Sequence, residues 1–96
     1  MLDGKRRSYL RGQANNLNPI IQIGKDGISQ GLIEQTEKSL EDHELVKGRV
    51  LNNSLVDAKE AANELAQKCE AEVIQVIGNV FVLFRRNNEK PIYILP

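Results

Sequence analysis

Four short runs of apolar, mostly branched residues alternate along the chain with segments whose apolar residues recur at helical spacing. The runs occupy residues 20–23, 45–51, 73–77 and 80–85. The first three runs are separated by segments long enough for a helical crossover between parallel strands, whereas the last two are separated by only two residues, as in an antiparallel hairpin. A further helical stripe precedes the first run. The pattern therefore predicts an α/β fold in the order α-β-α-β-α-β-β, with a four-stranded mixed sheet under helical cover.

Local signals place the ends of these elements. The first helix is expected from Asp3 to about Asn16, with Leu10, Ala14 and Leu17 on one stripe. Ser29 is a suitable N-cap for the second helix. The spacing Ser54-x-x-Asp57 predicts a capping box for the third helix. Gly78-Asn79 suits a type II′ hairpin turn. The tail from Asn87 onward is expected either to add a short extended segment or to lie along the surface.

The length of 96 residues predicts one domain, residues 1–96. Such a chain should bury roughly 60 to 68% of its unfolded surface, so it needs no disulfide or metal to fold. Cys69 is the only cysteine and is expected to be a small core residue; the only histidine, His43, falls at a predicted helix end. No apolar stretch is long enough to span a membrane. A cytoplasmic protein without cofactor or metal, and without a membrane partner, is expected.

Catalysis is not expected, because the residues that a catalytic site requires are missing. One histidine and one core cysteine leave no combination of base and nucleophile, and no carboxylates are paired in apolar surroundings. The chain also lacks a P-loop and a dinucleotide-binding fingerprint. We therefore expect a binding protein rather than an enzyme.

The net charge of zero conceals an uneven distribution along the chain. Basic and acidic segments alternate, with formal charges of +3, −4, +2, −3 and +2 in residues 1–30, 31–44, 45–56, 57–72 and 73–96. Salt largely screens charges from one another when they are more than a Debye length apart, about 8 Å at physiological salt. A basic face can therefore bind phosphates while an acidic face points elsewhere. The alternative is that these segments are ordinary solvated helix faces.

The segment Gly24-Lys25-Asp26-Gly27 connects a predicted strand to the capped second helix. Glycines there allow the backbone to approach a bulky anion, the helix N-terminus presents free N–H groups, and Lys25 adds a charge. Asp26 opposes this role unless its carboxylate turns away. The alternative is an ordinary tight turn, since short glycine motifs are frequent. Further cations are needed for binding, and six are available in nearby segments: Lys5, Arg6, Arg7, Arg11, Lys47 and Arg49.

Two other RNA-binding folds fit the sequence poorly. Phe81 and Phe84 fall on opposite faces of one strand, so the paired stacking aromatics of an RRM sheet are not formed. A KH domain places its GxxG between two helices, whereas here an Ile-rich strand precedes it.

The chain resembles the CRM domain family (chloroplast RNA splicing and ribosome maturation), and within it the stand-alone bacterial YhbY-type proteins. The resemblance rests on the GKxG loop after an Ile-rich strand, the DHELVK segment and the VIG-x-x-x-VLFR hairpin. It implies an RNA-binding α/β domain, similar to the C-terminal domain of translation initiation factor three, that associates with precursors of the large ribosomal subunit. It also implies that Gly24 to Gly27 contact RNA and that the basic first helix belongs to the positive surface. Gly48 departs from the branched apolar residue common in relatives, which bears on the packing of that strand.

The predicted function is a non-enzymatic, monomeric RNA-binding protein that assists assembly of the large ribosomal subunit. The loop would capture phosphates, and the six cations named above would reinforce it. The alternative is a protein-interaction module in which the acidic second and third helices dock a basic ribosomal protein or assembly factor.

Overall fold

Three helices and four strands make up the computed structural model, which describes residues 2–96. In chain order they are α1 (Gly4–Ala14), β1 (Ile21–Ile23), α2 (Gln30–His43), β2 (Leu45–Val50), α3 (Ala58–Cys69), β3 (Glu72–Ile77) and β4 (Val80–Phe84). This confirms the predicted element order. None of the helices in this part of the chain is long and apolar enough to cross a membrane.

The four strands form one sheet in the order β1-β2-β4-β3. β1 and β2 are parallel neighbours connected through α2, and both pairings of β4 are antiparallel. The predicted mixed sheet is therefore confirmed. β3 runs in the same direction as β2 but does not touch it, because the last strand of the hairpin lies between them.

α2 and α3 pack on one face of the sheet and build the larger core. Apolar residues of both helices meet inward-facing residues of β1, β2 and β4. Ala61 and Ala62 of α3 are fully buried, so small side chains let this helix lie close to the sheet. Cys69 is buried in the same cluster, which confirms it as a core residue.

Gly48 makes room in this core for an aromatic ring. It is the register partner of Phe81 across β2 and β4. A Cβ atom at position 48 would lie 2.7 Å from Cε2 and 2.8 Å from Cε1 of that ring. The departure at Gly48 is thus explained by packing, since the ring fills the space that a side chain would occupy.

α1 covers part of the opposite face, which we call the α1 face. Leu10 and Ala14 pack there against Leu45, Ile74 and Phe84. Tyr93 and Leu95 from the C-terminal tail complete this smaller cluster. Phe81 and Phe84 belong to different clusters, so their predicted placement on opposite faces is confirmed.

The helix ends agree with the sequence at α1 and α2 but not at α3. The Asp3 side chain accepts a hydrogen bond from the Arg6 N–H at 2.9 Å, and Ser29 Oγ accepts one from the Leu32 N–H at 3.2 Å. The predicted capping role of Ser54 is wrong. Asp57 is the N-cap of α3 and accepts from the Glu60 N–H at 2.8 Å. Ser54 is occupied elsewhere, because its hydroxyl bonds to the backbone of Val56 in a turn before the helix.

The hairpin has the predicted two-residue turn. Gly78 has a φ of 57°, and Asn79 has no positive φ, as a type II′ turn requires. The turn is fixed to the neighbouring strand, since the Val50 N–H donates to the Asn79 carbonyl at 2.8 Å. The pairing of β3 with β4 shifts register between Val73 and Gln75, before this turn.

The tail lies along the surface, held by the carboxylate of Glu44. This side chain is completely buried and accepts hydrogen bonds from the N–H groups of Asn87 (2.7 Å), Ile92 (2.8 Å) and Tyr93 (3.0 Å). Arg86 adds an ion pair at 3.2 Å. Burial alone would raise the pKa of Glu44, but the three backbone donors and Arg86 outweigh it and hold the pKa below its ordinary value.

Candidate nucleic-acid interface

The Gly24–Gly27 loop is a four-residue turn at the carboxyl end of β1. The Gly27 N–H donates to the Gly24 carbonyl at 3.1 Å, and Gly27 has a φ of 63°. A positive φ is easy for glycine and costly for other residues, so the turn itself requires Gly27. Lys25 and Asp26 are exposed at the tip of the turn. The Asp26 carboxylate bonds to no other residue in the described chain.

Gly24 is not required by the packing around it. A Cβ there would lie 3.5 Å from Oδ1 of Asn53, an ordinary contact distance. Beyond the loop, α2 begins after its Ser29 cap without an acidic residue in its first turn. The N-terminal N–H groups of this helix are therefore not occupied by a carboxylate of their own turn, which suits the approach of an anion.

Four of the predicted cations have side chains that bond to no other described residue. Lys5, Lys25 and Arg49 are exposed and Arg11 is partly exposed. They lie on α1, at the tip of the loop and on the α1 face of β2. Nothing within residues 2–96 neutralises them directly, so they are available to phosphates.

The other three predicted cations have structural partners. Arg6 pairs with Asp3 at 3.5 Å and donates to the Pro96 carbonyl, while Arg7 donates to the carbonyl of Val73 beside Glu72. Lys47 Nζ donates to the carbonyls of Ala14 and Leu17 at 3.2 and 3.3 Å. These contacts tie α1 to the sheet and to the tail. A phosphate role for these three residues remains a prediction, with fewer donor positions left to serve it.

Arg85 and Arg86 do not join this free basic surface. Arg85 donates to both carboxylate oxygens of Glu37 at 3.0 Å and to the Cys69 carbonyl at 2.9 Å. Arg86 pairs with Glu44 and lies over the Phe84 ring at 5.7 Å. Both arginines of the last segment are therefore paired with carboxylates of α2 and with Glu44.

The acidic surface is weaker than the charge count predicts. In α2, Glu37 and Glu41 face Arg85, and Lys38 pairs with Asp42. α3 exposes two lysines beside its two glutamates, Lys59 and Lys68 beside Glu60 and Glu64. Glu72, counted with the acidic segment 57–72, lies 4.0 Å from Arg7. The basic α1 and the two remaining helices nevertheless lie on opposite faces of the sheet.

A groove of about 410 Å³ opens on the α1 face, where α1 ends before it has covered the sheet. Arg49 lines this groove together with side chains of β3, β4 and the α1–β1 connection. The sequence did not indicate it, because the groove depends on where α1 stops over the sheet. The alternation that places Lys47 and Arg49 on one strand face was its only local signal.

Comparisons with known proteins agree with this architecture. The model of the CRS1/YhbY (CRM) domain family matches residues 2–85. The chain is 38% identical over 96 residues, the whole of both chains, to a Bacillus subtilis protein named as a probable RNA-binding protein. It is 31% identical over 91 residues, 95% of this chain and 92% of the relative, to a Haemophilus influenzae protein named as RNA-binding.

A solved structure is also similar over its full length. The solution structure of a Staphylococcus aureus protein, whose description proposes RNA binding, has a TM-score of 0.82 and 44% identity, covering 100% of both chains. Its fold supports the arrangement of helices and sheet described above. With the family model spanning residues 2–85, this chain belongs to the CRS1/YhbY (CRM) domain family.

Proposed function

We propose that this protein binds ribosomal RNA in cytoplasmic precursors of the large subunit and assists their assembly, without catalysing a reaction. The observation that carries the proposal is the group of four cations without protein partners: Lys5, Arg11, Lys25 and Arg49. Relatives named as RNA-binding proteins support the same partner. Structural ion pairs elsewhere leave these side chains as the main free positive charge around α1, the loop and β2.

The proposed contact is with phosphates rather than with base sequence. The backbone and Lys25 of the Gly24–Gly27 loop receive one phosphate, and the cations of α1 and β2 receive neighbouring ones. Phosphate contacts position a protein on RNA but do not read its sequence. With about four phosphates neutralised on single-stranded RNA, log affinity falls against log salt with a slope near −3.

Charge reversal at the loop tests this contact. Lys25→Glu should weaken binding of a single-stranded ribosomal RNA fragment, measured by fluorescence anisotropy, and should make the salt slope shallower. Lys59→Glu is the matched control, because Lys59 is an exposed lysine on α3. Equal effects of the two reversals would show that only net charge matters and would remove the site from the loop.

Sedimentation tests the assembly role. The protein should cofractionate with large-subunit precursors in a sucrose gradient of cell extract, and ribonuclease treatment should release it. Cofractionation that survives extensive RNA digestion would instead favour docking to a basic protein. The structure favours RNA, because Arg85 and Lys38 already occupy much of the α2 acidic surface that such docking would use.

A further inference from the structure

The groove on the α1 face is lined by apolar, amide and cationic groups, and it lies beside the cations proposed to contact phosphates. α1 ends at Ala14, and the following connection to β1 forms one wall of the groove. The floor is made by side chains of β2, β3 and β4. Ile77 of this floor is 65% exposed, which is unusual for a large apolar residue in a sheet. The sheet therefore presents an uncovered apolar surface to solvent.

The lining combines three kinds of group. Ile77 and Val80 provide apolar surface, and Gln75 on the floor and Asn18 on the wall provide amides. Arg49 provides a positive charge, and none of the described residues that line the groove is acidic. A nucleotide has the matching three parts: a flat base face, hydrogen-bonding base edges and a phosphate. An apolar peptide would use the floor but leave the cation and the amides unpaired, at a cost.

Hydrogen bonds and packing fix the shape of the groove. The two hydrogen bonds from Lys47 Nζ to the Ala14 and Leu17 carbonyls hold the wall against the floor. Val82 at the base of the groove is 2% exposed and packed in the smaller core. Binding there would lose little conformational entropy, since wall and floor are fixed by packing and hydrogen bonds.

The groove includes Arg49, one of the four cations of the candidate phosphate site. Arg49 lines it, and the register partner of Arg49 on β1 is Gln22, which precedes Gly24 by two residues. Two residues of extended chain span about 7 Å, so one RNA strand can reach both places.

Building on the proposed function, we infer that the groove binds an unpaired nucleobase of the RNA strand whose phosphates contact Lys25 and Arg49. The base lies against Ile77 and Val80, and its edge meets the amides of Gln75 and Asn18. A paired base cannot bind in this way, because its edge is occupied by its partner and its faces by its neighbours. The groove thus favours single-stranded over paired RNA, a distinction that phosphate contacts alone do not make.

Abasic RNA separates base contacts from phosphate contacts. The probes are a single-stranded oligonucleotide of about ten nucleotides and the same oligonucleotide with its central bases removed, both measured by fluorescence anisotropy at one salt concentration. The intact RNA should bind about 5- to 30-fold more tightly, the factor expected from one or two kcal/mol of base contacts. A duplex of the same length should bind no better than the abasic strand.

Variants assign that preference to the groove. Gln75→Ala and Ile77→Ala should each reduce the ratio between intact and abasic RNA. Lys25→Ala should weaken both RNAs and leave the ratio unchanged, and Gln67→Ala, an exposed amide on α3, should change neither. Circular dichroism checks that each variant is folded.

The outcomes distinguish the two proposals. Equal, salt-dependent affinities for intact and abasic RNA would overturn the base site but not the phosphate contacts. The same conclusion would follow if the groove variants left the ratio of the two affinities unchanged. Absence of salt-dependent binding to either RNA would overturn both.

Discussion

Replacing Glu44 with Gln should destabilise the protein strongly, although the two side chains have nearly the same shape. One carboxylate oxygen accepts from the N–H groups of Ile92 and Tyr93, and the other accepts from Asn87 and pairs with Arg86. Glutamine retains a single acceptor oxygen, so its NH2 group must face the donors on one side. At least one buried N–H is then unsatisfied and the ion pair is lost, which should cost about 2–4 kcal/mol at neutral pH.

The destabilisation caused by Glu44→Gln should decrease as the pH falls. Because the pKa of Glu44 is lowered in the folded protein, its stabilising contribution is complete above the ordinary value of 4.5 and is lost as the pH falls through the lowered pKa. The difference in unfolding free energy between wild type and Glu44→Gln should therefore be constant near neutral pH and shrink in acid.

Urea denaturation followed by circular dichroism measures this difference. Glu34→Gln on the exposed side of α2 is the matched control and should leave the urea midpoint unchanged. Glu44→Gln should also expose the tail to proteolytic cleavage near Tyr93, since the carboxylate holds the tail backbone there. A Glu44→Gln protein as stable as wild type, or a difference that grows in acid, would refute the reasoning.

Three further substitutions or modifications test local features. Gly27→Ala should lower the free energy of unfolding by about 1–2 kcal/mol, because alanine resists the positive φ at this position; an unchanged urea midpoint would show that the turn rearranges cheaply. Asp57→Ala should cost about 1 kcal/mol through loss of the α3 cap, more than Ser54→Ala; the reverse order would restore Ser54 as the cap. Burial, followed by the neighbouring carboxylate of Glu37, raises the pKa of the Cys69 thiol to about 11, so the folded protein should resist alkylation at pH 8 until it is unfolded in urea; rapid alkylation of the folded protein would contradict this.

The elements that the sequence predicts well are those specified by neighbouring residues. The Ser29 cap and the Gly78 turn depend on contacts within four residues, and both are found as expected. The sequence predicts the wrong N-cap for α3 because Ser54 and Asp57 are both good capping residues. The choice between them depends on a turn at Val56 that no local pattern specifies.

The candidate site is only partly predictable for a related reason. The sequence identifies the loop and the cations but not which cations are free. Arg7 donates to a carbonyl 66 residues away in sequence, and Lys47 donates to one that is 33 residues away. Glu44 accepts from partners more than 40 residues along the chain. Such pairs depend on how α1 and the tail dock on the sheet, which periodicity does not encode.

The contact between Gly48 and the Phe81 ring links the side-chain sizes that the two positions can accommodate. A branched residue at position 48 requires the Phe81 ring or its strand to shift, since Cβ and the ring would otherwise occupy the same space. We expect homologous chains with a larger residue at 48 to carry a smaller one at 81, so that the summed volume of the pair is preserved. A single substitution at either position should therefore destabilise the protein, by a steric clash when position 48 is enlarged and by a cavity when position 81 is reduced.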